Sequence, residues 1–230
     1  MLMILIQARM SSNRLPGKVL MEIGGRRILD HLFHRCASVV GRENVAIITS
    51  TEPSDDPIVE FADTHNYQYY RGPLDNVYER FVGAVSKFGI DQFVRVCGDS
   101  PFLQPELIEH ALNQFSNQYV DLVTNVFPRS YPKGQSVEVV RTRTFLSPDY
   151  VALNGFSHEH VTQGFYSHSD HFNILNFRCS ELQTPKLETW AVDTYEDLQT
   201  ISNWIINNPE GPKSFGTPII AIHKSGIKNA

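Results

Sequence analysis

The sequence of 230 residues has few cysteines and no long hydrophobic run. Its three cysteines, Cys36, Cys97 and Cys179, form no C-x-x-C pair. This argues against a disulfide framework and a cysteine-based zinc site, so we interpret all three as buried thiols. The longest apolar run begins at Met1 and ends at polar residues well short of the ~20 residues that a membrane span needs. No signal-peptide pattern follows it, and we therefore expect a cytoplasmic protein without a membrane partner.

The chain also lacks an excess of positive charge. Lys and Arg together number 20 and Asp and Glu 25, which gives a formal net charge of -5. Such a surface does not attract nucleic acid, so we expect no nucleic-acid partner, and any polyanion must bind a local group of cations. With 41% hydrophobic and 20% charged residues, the composition is typical of a folded globular protein. The length suits one large α/β domain.

Short β-branched and aliphatic runs alternate with segments of helical periodicity. The runs are typical of buried strands in a parallel sheet and cover residues 3–8, 45–50 and 93–97. The helical segments cover residues 28–39, 58–65, 77–88 and 105–115. This alternation predicts a single α/β domain with a mostly parallel, doubly wound sheet.

The periodicity weakens between residues 129 and 181, where prolines and glycines interrupt it. We interpret this segment as an irregular excursion from the sheet that covers an acceptor or forms a dimer contact. The pattern then resumes, with a strand predicted over 187–192 and a helix over 195–207. The residues after Pro209 are expected to form a loosely held tail.

The loop after the first predicted strand reads QARMSSNRLPGK and contains three cations, Arg9, Arg14 and Lys18. It follows the carboxyl end of a strand, where open α/β sheets bind ligands. Backbone N–H groups and three cations suit a triphosphate, because its oxygens need several charge-assisted hydrogen bonds. The loop is not a Walker A motif, since Ser12 stands at its first glycine position and Val19 replaces the magnesium-binding Ser or Thr. A solvated basic turn is the alternative interpretation.

Two aspartates each follow directly after a predicted strand. Asp99 lies in the segment VRVCGDSP, where its carboxylate can hold a magnesium ion that also contacts phosphate oxygens. A helix N-cap explains Asp99 less well, because nearby prolines keep the chain non-helical. Asp193 lies in WAVDTYED, where a helix start explains it equally well, since Thr194 and Asp197 have the spacing of a capping box.

Taken together, these segments resemble the sugar cytidylyltransferases, in particular the spore-coat polysaccharide branch related to the acylneuraminate and Kdo enzymes. The most specific segment is IQARMSSNRLPGKVL, residues 6–20. The resemblance continues in chain order through GPLDNVYER, GDSP, YPKG, VE, EHVT and WAVDTYEDL, so it covers most of the chain.

The resemblance implies a nucleotide-diphosphosugar-transferase-like (GT-A-like) fold, with CTP and a sugar acceptor as substrates, magnesium as cofactor and a homodimer as the assembly. It implies that Lys18, Arg9 and Asp99 are catalytic and that Asp99 and Asp193 bind the metal. The implied nucleotide-binding residues are Ala8, Arg9, Ser11, Ser12, Arg14, Lys18, Gly72, Asp75 and Arg80. The implied acceptor contacts are Glu138, Glu159 and His160.

The expected reaction is nucleotidyl transfer. A hydroxyl of an acidic eight- or nine-carbon sugar attacks the α-phosphorus of CTP, and pyrophosphate leaves, for surface polysaccharide or glycan synthesis. Backbone carbonyls of residues 72–76 are expected to accept the exocyclic amine of cytosine.

The sequence departs from the spore-coat branch at Ser136, where an aspartate is usual. Three alternatives therefore stay open: an enzyme using another NTP or a sugar phosphate, a glycosyltransferase of similar fold, and a degenerate nucleotide-binding subunit. A glycosyltransferase would need a D-x-D metal motif, whereas GDSP has one aspartate.

Overall fold

A mixed sheet of eight strands forms the centre of the fold in the computed structural model, which describes residues 1–154, 161–179, 189–209, 211–212 and 218–221. The strands are β1 (Leu2–Gln7), β2 (Glu22–Ile23), β3 (Arg26–Arg27), β4 (Val45–Ser50), β5 (Gln68–Gly72), β6 (Gln92–Cys97), β7 (Leu122–Thr124), β8 (Glu138–Arg141), β9 (Ile174–Cys179) and β10 (Pro218–Ala221). The helices are α1 (Ile28–Val40), α2 (Asp56–Thr64), α3 (Val77–Phe88), α4 (Pro105–Asn117), α5 (Thr142–Phe145), α6 (Pro148–Asn154), α7 (Gln163–Ser167) and α8 (Tyr195–Asn207).

The strand order in the sheet is β10-β9-β7-β8-β6-β1-β4-β5, and β2 and β3 form a separate hairpin. β1 pairs in parallel with β4 and β6, and β4 pairs in parallel with β5. β8 runs antiparallel between β6 and β7. The mostly parallel α/β sheet predicted from the sequence is confirmed, and the carboxyl ends of β1, β4 and β6 meet at one edge.

Helices cover both faces of this sheet. Alternate residues of β1 enter different hydrophobic clusters, since side chains along a strand point to opposite faces. Ile4 and Ile6 pack with α1, α2, α4 and α8, whereas Met3 and Leu5 pack with α3 and with the short helices α5, α6 and α7. β1 is therefore central and buried on both sides, so the loop that follows it is held on a rigid strand.

The segment over residues 129–181 is only partly an excursion from the sheet. It contains β8 and β9, and both pair with neighbouring strands. The prediction is therefore wrong for these two strands. Between them, α5, α6 and α7 pack on one face. Their predicted role in covering an acceptor or contacting a second copy stays a prediction.

The C-terminal part differs from expectation at two places. Of the strand predicted over 187–192, residues 187 and 188 lie outside the described residues, and Thr189 forms only an isolated bridge with Lys133. The tail predicted after Pro209 is not loose at residues 218–221, because β10 pairs antiparallel with β9.

The structure bears on two expectations from the sequence, the burial of the three cysteines and the lack of a membrane-spanning segment. Of the three cysteines only Cys36 is fully buried, whereas Cys97 and Cys179 are partly exposed. Among the described residues, none of the helices is long and apolar enough to pass through a membrane.

Candidate active site

The loop after β1, residues 8–18, is organised around the peptide of Met10. The Met10 carbonyl oxygen accepts hydrogen bonds from the N–H groups of Ser12 and Gly17, at 2.9 and 2.8 Å. Gly17 has a φ of +73°, a conformation that favours glycine, and a Cβ there would lie 3.2 Å from the terminal methyl of Met10. The closed turn leads directly into a short 3-10 helix at Lys18–Leu20. The position of Lys18 therefore depends on the Met10 peptide.

Lys18 lies between the two aspartates predicted to bind metal. Its Nζ donates to Asp99 Oδ2 at 2.7 Å and to Asp193 Oδ1 at 2.8 Å. Arg14 Nη2 also contacts Asp193 Oδ1, at 2.9 Å. Because both carboxylates contact one ammonium group, the structure brings together two residues that are far apart in sequence. We call Arg14, Lys18, Asp99 and Asp193 the loop cluster.

The sheet edge and the start of α8 explain this convergence. The backbone N–H of Val192 donates to the carbonyl oxygen of Asp99 at 2.9 Å, which joins the two segments. Thr194 is the N-cap of α8 and forms a capping box with Asp197. The capping alternative for this segment is thus satisfied by Thr194 and Asp197, and the Asp193 carboxylate is left to contact Lys18 and Arg14.

Opposite charges hold Lys18 and Asp193 in their ionised forms. Burial would lower the pKa of Lys18, but the carboxylates of Asp99 and Asp193 outweigh it and raise that pKa above its ordinary value. Burial would raise the pKa of Asp193, but Lys18 and Arg14 outweigh it and lower that pKa. At neutral pH the Lys18 ammonium and the Asp193 carboxylate are therefore both charged.

The donor set of the loop cluster fits a magnesium ion. Magnesium prefers oxygen ligands and is usually held by one or two carboxylates together with substrate phosphates. The side chains of Asp99 and Asp193 are each 24% exposed, so a ligand can reach them. Within the described residues no three His, Cys, Asp or Glu side chains form a metal cage. Further oxygens would have to come from a bound phosphate or from water.

A cavity of about 330 Å³ opens at this edge of the sheet. Its wall contains these predicted site residues: Ala8, Arg9, Ser12, Arg14, Lys18, Asp99 and Asp193. It also contains residues for which no role was predicted: Gln7, Asn13, Val19, Cys97 and Gly98. Among the described residues, Ser11, Gly72, Asp75, Arg80 and Glu138 lie outside this wall. Two cavities of about 580 and 620 Å³ are larger, but their described walls contain none of the predicted residues. We therefore take this cavity, and neither of the two larger ones, as the candidate active site.

The side chain of Arg80 supports the turn at residues 72–76, which contains two of the residues predicted to bind the nucleotide, Gly72 and Asp75. The side chain is fully buried, and its Nε and Nη2 donate to the Pro73 carbonyl oxygen at 2.9 and 2.7 Å. Nη2 also donates to the Leu74 carbonyl oxygen at 2.8 Å. A Cβ at Gly72 would lie 2.8 Å from Arg80 Cγ, so glycine permits this packing. Arg80 therefore shapes the turn, and its predicted contact with the nucleotide stays a prediction, as does that of the exposed Asp75.

Glu138 also differs from its predicted role. It is 3% exposed, and its carboxylate accepts hydrogen bonds from Arg95 Nη1 at 2.5 Å, Thr162 Oγ1 at 2.7 Å and the Tyr166 hydroxyl. Both carboxylate oxygens are therefore engaged with the protein, and direct contact with an acceptor is not what this geometry provides. The other two predicted acceptor contacts, Glu159 and His160, lie outside the described residues.

The same network reaches the cavity through Gln7, which sequence reasoning missed. Arg95 Nε and Nη2 donate to Gln7 Oε1 at 3.2 and 3.0 Å. Because arginine only donates hydrogen bonds, the amide oxygen faces Arg95 and the amide nitrogen faces away from it. Burial would lower the pKa of Arg95, but Glu138 outweighs it and raises that pKa, so Arg95 is charged. We call Gln7, Arg95, Glu138, Thr162 and Tyr166 the buried network.

Ser136, where the sequence departs from the resemblance, lies just before β8. Its hydroxyl oxygen accepts a hydrogen bond from Arg129 Nη1 at 2.9 Å. An arginine is thus already in place beside the position at which an aspartate is usual.

Comparison with known proteins shows the family of the chain. A family model described as cytidylyltransferase matches residues 3–203. The chain is 28% identical over 226 residues to the spore coat polysaccharide biosynthesis protein SpsF of Bacillus subtilis (strain 168), covering 96% of this chain and 93% of that protein.

Two solved structures share the fold. One is a cytidylyltransferase from Leptospira borgpetersenii, with a TM-score of 0.77 and 24% identity over 91% of this chain and 95% of that one. The other is a CMP:2-keto-3-deoxy-manno-octonic acid synthetase complexed with CTP, with a TM-score of 0.68 and 16% identity over 90% of this chain and 99% of that one. The family match confirms the resemblance and the predicted class of enzyme, and the chain belongs to the cytidylyltransferase family.

Proposed function

We propose that the protein transfers CMP from CTP to a hydroxyl of an acidic sugar and releases pyrophosphate, in the synthesis of a surface polysaccharide or glycan. The observation that carries this proposal is the loop cluster, where Lys18 contacts both Asp99 and Asp193 at the carboxyl edge of the sheet. Such an edge is where α/β proteins bind nucleotides. The match to the cytidylyltransferase family supports CTP as the donor.

The cations of the loop after β1 have a direct role in this reaction. Arg9, Arg14 and Lys18 share one cavity wall, where they can bind the triphosphate and neutralise the charge that grows on the departing pyrophosphate. Lys18 is held in place by its two carboxylate partners, so it is oriented before CTP arrives. Asp99 and Asp193 would hold magnesium, which acts as a Lewis acid on phosphate oxygens when bound.

The acceptor is proposed from the relatives. The SpsF protein is described by its role in spore coat polysaccharide synthesis, and the CTP complex with the same fold is a synthetase for the CMP derivative of an acidic eight-carbon sugar. We therefore propose an acidic eight- or nine-carbon sugar as the acceptor. The predicted homodimer and cytoplasmic location are part of the same proposal.

Pyrophosphate release tests this function. The purified protein would be incubated with magnesium, each of the four NTPs, and a panel of acidic sugars, neutral sugars and sugar 1-phosphates. We expect release only with CTP and an acidic sugar, and a CMP-sugar product by mass spectrometry.

Two of the three alternatives, another nucleotidyltransferase and a nucleotide-binding subunit, give different results in this assay. Equal release with UTP would contradict the choice of CTP, and release with sugar 1-phosphates would change the class of acceptor. Binding of CTP without release for any sugar in the panel would favour the nucleotide-binding subunit.

A further inference from the structure

Asp55 is a fully buried carboxylate at the start of α2, in a position where an aspartate usually caps a helix. Both of its oxygens accept hydrogen bonds from elsewhere in the chain. Oδ2 accepts them from Thr49 Oγ1 at 3.0 Å, from the Ser50 N–H at 3.0 Å and from Ser50 Oγ at 2.5 Å. Oδ1 accepts the backbone N–H of Met10 at 2.7 Å. The carboxylate therefore joins the end of β4 to the loop after β1.

The hydrogen bond to Asp55 fixes the Met10 peptide, around which the loop after β1 is organised. The Met10 carbonyl closes the turn through Ser12 and Gly17, and Lys18 follows directly. We propose that Asp55 is a positioning residue for the loop after β1, which sets the place of Lys18 by holding the Met10 N–H. The effect on CTP rests on the proposed function, whereas the effect on the loop does not.

The charge of Asp55 strengthens this contact. Burial would raise the pKa of Asp55, but hydrogen bonds from Ser50, Met10 and Thr49 outweigh it and hold that pKa below its ordinary value. An ionised acceptor makes shorter and stronger hydrogen bonds than a neutral one. The charge of the buried guanidinium of Arg80 interacts with the Asp55 carboxylate, which adds to its stabilisation. The carboxylate is therefore held in the form that binds the loop most firmly.

The two oxygens of Asp55 separate local stability from loop position. The contacts of Oδ2 stay within six residues of Asp55, whereas the contact of Oδ1 crosses 45 positions to the loop. Asp55→Asn replaces one oxygen by a donor of the same shape. The amide oxygen keeps more hydrogen bonds at the Oδ2 position, where three donors converge. The amide nitrogen then faces the Met10 N–H, which cannot accept a hydrogen bond and so loses its partner. Thr49→Val is the matched control, because it removes one Oδ2 contact and leaves the Met10 contact intact.

Hydrogen exchange of the loop amides is the test, with thermal stability measured on the same samples. We expect Asp55→Asn to speed exchange of the Ser12 and Gly17 amides by about 10-fold or more, the factor associated with a lost hydrogen bond to a charged group. It should raise KM for CTP by a similar factor and change kcat less. Thr49→Val should lower the Tm and leave loop exchange and KM unchanged.

Two results would overturn the proposal: unchanged loop exchange in Asp55→Asn, or an equal increase in Thr49→Val. If Asp55→Asn does not fold, the wild-type protein still gives an answer, because its Met10 amide must exchange slowly although it lies in a loop. Rapid exchange of that amide contradicts the proposal. Absence of CTP binding to the wild-type protein would count against the proposed function, and the exchange data would still decide the role of Asp55.

Discussion

The loop cluster and the buried network contain the same kinds of charged residue but differ in what surrounds them. In the loop cluster, Asp99 and Asp193 are partly exposed and face a cavity with several cations in its wall. In the buried network, Glu138 and Arg95 have little exposed surface and form an ion pair with each other. A partly exposed ion pair can exchange its partners for a ligand, whereas a buried pair mainly fixes the strands that hold it. The exposure of the carboxylates therefore distinguishes the two groups, since the side chains of Asp99 and Asp193 are each 24% exposed and that of Glu138 only 5%.

The largest expected effect is on stability, in the buried network. Glu138→Ala leaves the Arg95 guanidinium buried without its carboxylate and removes the acceptor of Thr162 and Tyr166. Removing one partner of a buried pair costs about 3–5 kcal/mol, so we expect a loss of this size in the free energy of unfolding. Denaturant titration measures it, with Glu60→Ala at an exposed position as the control. A loss below about 1 kcal/mol in the free energy of unfolding would contradict the structural role that we give to the buried network.

In the loop cluster the expected effect is on turnover. Lys18→Ala removes the ammonium that is placed to stabilise charge on pyrophosphate, so kcat should fall by roughly 10²-fold or more, as for other lost transition-state donors. Pyrophosphate release measures it, with circular dichroism to confirm folding. Lys87→Ala, on the exposed side of α3, is the control and should keep full activity. A wild-type rate in Lys18→Ala would reduce the loop to a solvated basic turn.

The fold could be predicted well where the sequence is periodic. The bounds of α3 and α8 agree with the prediction, because apolar residues at helical spacing and clear caps define both ends. β8 was missed, since a four-residue strand between prolines and glycines gives no periodic signal. β10 was missed because its pairing with β9 depends on contacts distant in sequence.

The site was predictable where chemistry-bearing residues follow strands. Asp99 and Lys18 met this condition, and the sheet brings them together. Local sequence did not show that Glu138 and Arg80 are buried, because burial depends on how neighbouring elements pack. Asp55 was missed because an aspartate before a helix resembles an N-cap, and its contact with Met10 exists only in three dimensions.

Nucleotide choice gives a smaller expected effect. Backbone carbonyls of residues 72–76 were expected to accept the cytosine amine, and Arg80 already donates to two of them, those of Pro73 and Leu74. A carbonyl oxygen can accept two hydrogen bonds. The Pro73 carbonyl already accepts two from Arg80, whereas the Leu74 carbonyl accepts one and keeps capacity for the amine. UTP would leave such an acceptor unpaired at about 1–3 kcal/mol, which corresponds to a preference for CTP of roughly 10- to 100-fold. Thermal-shift titration with magnesium and each NTP measures it, and equal stabilisation by CTP and UTP would contradict it.

The smallest expected effect is at Ser136, which is half-buried and accepts a hydrogen bond from the exposed Arg129. Ser136→Asp would replace a neutral hydrogen bond by an ion pair with Arg129, and exposed ion pairs contribute about 0–1 kcal/mol. We therefore expect a gain of at most about 1 kcal/mol in the free energy of unfolding, reduced by salt and absent when Arg129 is also changed to Ala. Pyrophosphate release should stay near the wild-type rate, because the arginine contact exists with either residue. A rate increase of more than about 10-fold without a change in stability would show instead that this position acts on the substrate.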